Sequence, residues 1–61
     1  MSIPSDPIML MSLINTQLRD KYPSFDELIF ANMWDKEAVI EKLKNAGYVY
    51  SEEKNQFVKI N

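Results

Sequence analysis

A chain of 61 residues with neither cysteine nor histidine must hold itself together without the two staples on which folds of this size commonly rely. A disulfide needs paired cysteines, and a structural zinc site draws its ligands mainly from cysteine and histidine. Packing or association has to supply the stability instead, although a domain this small buries only about 60% of the surface its unfolded chain exposes. One hydrophobic core is all that fits. Apolar residues at 46% and charged residues at 26% are ordinary for a globular chain, which argues against disorder.

The same composition narrows the classes of function. The longest apolar run, Ile8 to Met11, is ended by Ser12 and falls far short of the ~18 residues of a membrane span, so no membrane insertion is expected. The N-terminus lacks the basic start and the apolar stretch of about 7–15 residues that a secretory signal needs, which makes a cytoplasmic location the default expectation. A formal net charge of −2 and a pI near 4.9 give no global positive field to attract phosphate backbones. A nucleic-acid role would therefore require a segregated basic face.

Three helices and a hairpin can be placed along the chain. Asp6-Pro7 has the form of a helix start, with the carboxylate capping free N–H groups and proline at the first position, where no useful donor is lost. The first helix runs over about 7 to 21, with Leu10, Ile14 and Leu18 as its stripe and Met11 and Leu13 beside it. Tyr22-Pro23 closes it, because the residue before a proline is pushed out of the helical region. Ser24 with Glu27 three residues on forms a capping box for a second helix over about 25 to 33, with Phe25, Leu28, Ile29 and Met33 as the expected stripe. Phe30 and Trp34 widen the apolar surface beyond one face.

Asp35 caps a third helix that ends at Gly47, the only glycine, suited to the left-handed conformation after a helix. Its expected buried stripe is Val39, Ile40, Leu43 and Ala46, while Glu37, Glu41 and the lysines mix charge signs on the exposed side. Beyond Gly47 the period changes to two, with Tyr48-Val49-Tyr50, then the polar residues 51–55, then Gln56 to Ile60. This is a hairpin with Tyr50 opposite Phe57 and an aromatic face turned to the helices, since an isolated two-stranded hairpin is marginal in water. The fold class is thus α+β: three short helices in a helix-turn-helix-like order, followed by a C-terminal β-hairpin. The chain reads as a single compact domain, 1–61, with residues 1–5 as an N-terminal tail expected to be flexible.

Several strings in this sequence resemble a small bacterial family known as domain of unknown function 4250. They are Asp6-Pro7-Ile8-Met9-Leu10, Asn15-Thr16-Gln17-Leu18-Arg19-Asp20, Tyr22-Pro23-Ser24, Gly47-Tyr48-Val49-Tyr50 and Asn55-Gln56-Phe57, and together they cover nearly the whole chain. The resemblance implies a compact stand-alone bacterial protein. It supplies no catalytic residues to carry over, because the family has no assigned activity. The segment from Phe30 to Trp34 looks less like the family, whose second helix tends to be more acidic there.

Two groups of residues stand out as candidate partner-binding sites. Asn15 and Arg19 lie one helical turn apart, and an arginine beside an amide can grip a carboxylate or phosphate in two-pronged fashion. The favoured reading of both is structural, as surface charge or as ties between the first helix and the hairpin. Phe30, Met33 and Trp34 exceed what one core can absorb, and aromatic residues with methionine are enriched at interface centres. For each of these three singly, core packing is the favoured fate.

Enzyme chemistry is not expected. A serine or threonine nucleophile would lack its commonest base, one glycine cannot build a phosphate-cradling loop, and the pairs Glu37/Glu41 and Glu52/Glu53 have the spacing of exposed carboxylates. No cofactor and no metal is implied, since nothing resembles the spaced loop of a calcium hand. The expected function is a protein-interaction module, through self-association or a protein partner, using apolar surface on the second helix or the Val49/Val58 face of the hairpin. The disfavoured alternative is a winged-helix-like DNA-binding protein presenting Lys36, Lys42, Lys44, Asn45, Lys54 and Lys59, against which the interspersed glutamates count.

Overall fold

Each element starts and stops where a particular side chain dictates. In the computed structural model, which describes residues 3–60, Asp6 accepts a hydrogen bond from the Ile8 amide at 2.8 Å and opens α1, Pro7–Asp20. Ser24 accepts one from the Glu27 amide at 3.3 Å and opens α2, Phe25–Asn32. Only the serine half of the expected capping box is present among the described residues. Asp35 takes the amides of Glu37 and Ala38 and opens α3, Lys36–Asn45. Gly47, at φ +94°, turns the chain out of α3 and into β1, Tyr48–Ser51, which pairs antiparallel with β2, Gln56–Lys59. Charges complement the helix dipoles: Asp26 and Glu27 lie in the first turn of α2, and Lys42 and Lys44 in the last turn of α3.

The core lies where these elements meet. Leu10, Ile14 and Leu18 from α1, Phe25, Leu28 and Ile29 from α2, Val39 and Leu43 from α3, and Phe57 from β2 are all buried in one cluster. The register sets Tyr50 opposite Phe57 and Val49 opposite Val58, as the period-two reading predicts. The aromatic face turns inward: Phe25 meets Phe57 edge-on at 5.0 Å between ring centroids, and Tyr50 closes the triad at 5.3 and 5.6 Å. Of the tail expected over residues 1–5, residues 1 and 2 lie outside the described ones, while Ile3 packs against the core. No helix among the described residues is long and apolar enough to cross a membrane.

The buried stripes are narrower than the sequence predicts. Ile40 is exposed, and so is Ala46, which lies beyond the end of α3 at Asn45, leaving Val39 and Leu43 as the buried line of that helix. Met33 leaves the stripe of α2 because the helix stops at Asn32 and Met33 itself takes the left-handed conformation. Phe30 follows Ile29 by about 100° around the helix, which swings it off the line of Leu28 and Ile29 into solvent.

Polar side chains tie the hairpin to the helices. Asn15, midway along α1, accepts from the Phe57 amide at 2.7 Å and donates to the Phe57 carbonyl at 3.1 Å. Asn55, in the left-handed conformation at the end of the hairpin turn, donates from its amide to the Leu18 and Tyr22 carbonyls near the C-terminus of α1 and accepts from the Tyr50 hydroxyl. Asn32 joins α2 to α1 through Gln17 at 3.1 Å.

Replacing Asn15 by alanine strips partners from two backbone groups at once and should cost about 2–3 kcal/mol in urea unfolding. Asn15→Asp makes a sharper test. At neutral pH its carboxylate still accepts from the Phe57 amide but repels the Phe57 carbonyl, so its folded-state pKa rises above that of the unfolded chain. Relative to the parent, this variant should regain stability as pH falls through that raised pKa, levelling off near the unfolded value of about 4. A stability difference that stays flat with pH would show that the Asn15 clamp is not what holds the strand.

Candidate interaction surface

The end of α2 carries the most exposed of the large apolar side chains among the described residues. Phe30 is 86% exposed and Met33 is 91% exposed. Trp34, one residue on, is partly buried against the core. Together with Ile29 and Ala31, and with Asp26 at the rim, they line a shallow apolar groove.

The local backbone accounts for this geometry. The Trp34 amide donates to the Ile29 carbonyl at 3.1 Å and the Met33 amide to the Phe30 carbonyl at 3.2 Å, the paired bonds of a Schellman ending. Such an ending needs a left-handed residue, usually glycine, and Met33 fills the place at φ 57°. A side chain there carries a penalty of roughly 1–2 kcal/mol. The motif turns Trp34 back towards the helix while Met33 stands out in solvent. The fold therefore gains little from the Met33 side chain and loses something by its presence.

The other candidate residues separate. Asn15 is committed to Phe57 on both its amide atoms, as the structural reading expects. Arg19 points elsewhere, to its neighbour Asp20, with the side chains 72% and 51% exposed. That charge-assisted hydrogen bond holds the Asp20 carboxyl below its ordinary pKa and raises that of Arg19. The amide and the guanidinium thus form no joint grip. Asn55 is the residue that sequence reasoning passes over, since it reads there as one polar residue of a loop. Its signal is an asparagine at the last place of a hairpin turn, where a left-handed residue is needed and asparagine tolerates the conformation.

The exposed side of α3 does not sort its charges. Glu37, Glu41, Lys44 and Asn45 share one face with Ile40, and Lys36 is paired with Asp26. The hairpin turn adds Glu52 and Glu53 beside Lys54. Lysines and glutamates alternate across the elements that a winged helix would lay on DNA.

Met33→Gly should raise the unfolding free energy by about 1 kcal/mol, measured in urea, because it relieves the left-handed strain without emptying any core volume. A loss of stability instead would mean that the methionine side chain packs usefully on the fold.

No curated protein and no solved structure matches this chain. One family model does, over residues 4–57, and its description is domain of unknown function (DUF4250). Because that match takes in almost the whole fold, from the cap of α1 to the clamped Phe57, the chain belongs to the DUF4250 family.

Proposed function

We propose that this chain is a protein-interaction module without enzymatic activity, and that it meets its partner through the apolar end of α2. One observation carries the reading. Met33 occupies a position where glycine would suit the backbone better, and its side chain stands 91% exposed next to Phe30. Residues that serve only the fold are not expected in that arrangement, whereas exposed methionine and phenylalanine beside a tryptophan are the composition of an interface centre. The mixed charges of α3 and the hairpin support a protein partner over nucleic acid, whose phosphates would meet a glutamate beside Lys36, Lys42 and Lys54.

The mass of the purified chain over a concentration series tests whether the partner is a second copy. If it is, Phe30→Ser should weaken the association by about 2 kcal/mol or more, roughly 30-fold, with an unchanged far-ultraviolet spectrum. A strict monomer leaves a different protein as the partner, and a photo-cross-linking side chain at position 30 or 33 should then capture it in the native host. Positions 21 and 44, exposed elsewhere on the molecule, serve as controls. The same adducts from all four positions would sink the proposal.

A further inference from the structure

The two long edges of the hairpin are unlike. Ile60 donates to the Gly47 carbonyl at 2.8 Å, and the register continues through Val49 opposite Val58 and Ser51 opposite Gln56, so these are the pairs that exchange ladder bonds. Tyr48 opposite Lys59 and Tyr50 opposite Phe57 are the wide pairs between them, and their backbone N–H and C=O groups point outward from the ladder. On β2 the outward groups of Phe57 are bound by Asn15, which closes the middle of that edge and leaves only those of Lys59, near its end, without a partner among the described residues. On β1 the outward groups of Tyr48 and Tyr50 meet no partner among the described residues. Beside Tyr50 runs a recess whose walls include Lys36 and Ile40 of α3, Ser24 and Phe25 at the start of α2, and Glu52 at the hairpin turn.

A strand edge lying next to a helix-walled recess is the arrangement in which an extended peptide adds to a sheet, with main-chain bonds giving affinity and side-chain pockets giving selectivity. We infer that the outer edge of β1 accepts an extended segment of a partner polypeptide as a third strand, bonded to the backbone of Tyr48 and Tyr50, with a basic side chain directed at Glu52. The charge follows from the pairing around the recess. Lys36 is already engaged with Asp26, whereas Glu52 has no ion pair among the described residues and has Glu53 beside it. The occupant is a lone extended segment whose own basic side chain answers the unpaired Glu52 beside the edge. A second copy pairing through the same edge would bring Tyr48–Ser51 with Glu52 and Glu53 beside it, none of them basic. This surface adjoins the groove at the end of α2, with Asp26 lining both, but its other residues differ and it is tested separately.

A chain of 61 residues is within reach of chemical synthesis, which allows single backbone atoms to be altered. The probes are an acetylated pentapeptide alternating valine with lysine and its counterpart alternating valine with glutamate, each titrated to millimolar concentration against the folded chain by amide NMR. The lysine peptide should move the Tyr48 and Tyr50 amides downfield, slow their exchange with solvent, and bind about 5-fold more tightly than the glutamate peptide. Glu52→Gln should narrow that ratio. Methylating the Tyr50 backbone nitrogen, which keeps the tyrosine ring and every ladder bond, should abolish the titration, and the same change at Tyr48 provides a second folded variant. The inference is overturned if neither peptide moves these two amides, if both peptides bind equally, or if the response lies only at Phe30 and Met33. It is also overturned if the Tyr48 and Tyr50 amides move with protein concentration alone, which would place a second copy on the edge.

Discussion

A two-stranded hairpin is barely stable by itself, and this one holds its place because the side chain of Asn15 behaves like a piece of a third strand. An asparagine amide carries one acceptor and one donor group in nearly the geometry of a peptide unit. Set midway along α1, it satisfies both outward backbone groups of Phe57, whose ring is at the same time buried among Phe25, Tyr50 and the helical leucines. Backbone and side chain of one residue are thereby held from opposite directions. Asn55 completes the attachment from the turn, reaching carbonyls near the end of α1 that the helix leaves without partners of its own. Hairpin and helix each satisfy what the other lacks, which is how so short a chain holds together without cysteines or histidines.

The clamp also decides which surfaces remain. With α1 clamping β2 at Phe57, both outward residues of β1 remain without partners among the described residues, and the recess beside Tyr50 lies between β1, α2 and α3. At the C-terminal end of α2, the short connection to α3 leaves room for just Met33 and Trp34 before the Asp35 cap. One of those two residues has to turn the chain, and the one that does so projects into solvent. The apolar end of α2 is thus a product of tight chain reversal as much as of composition. Among the five candidate residues, Asn15 serves the fold and Arg19 pairs with its neighbour, while Phe30, Met33 and Trp34 line one groove.

Local chemistry was written plainly in the chain. Asp6, Ser24 and Asp35 each open a helix, Gly47 ends the last one, and the alternation of tyrosine, valine and phenylalanine sets the strand register to the residue. Each of these signals acts between residues that are neighbours in sequence, or across one hairpin, so tertiary context has little to add. The stripes were harder. Val39, Ile40, Leu43 and Ala46 are all apolar in sequence, yet only Val39 and Leu43 are buried, because Ile40 lies off their line around the helix and Ala46 lies beyond its end.

What the sequence determined alone is therefore the order and limits of the elements and the pairing of the strands, since capping bonds and side-chain alternation operate over a few residues. Only the tertiary structure decided that Asn15 grips Phe57 across 42 positions, that Asn55 serves the end of α1, and that Phe30 and Met33 face solvent while their neighbours Leu28 and Ile29 are buried. These outcomes depend on where distant elements come to rest against one another. An asparagine has the same chemistry on any helix, and it becomes a clamp only when packing delivers an unpaired strand edge to it.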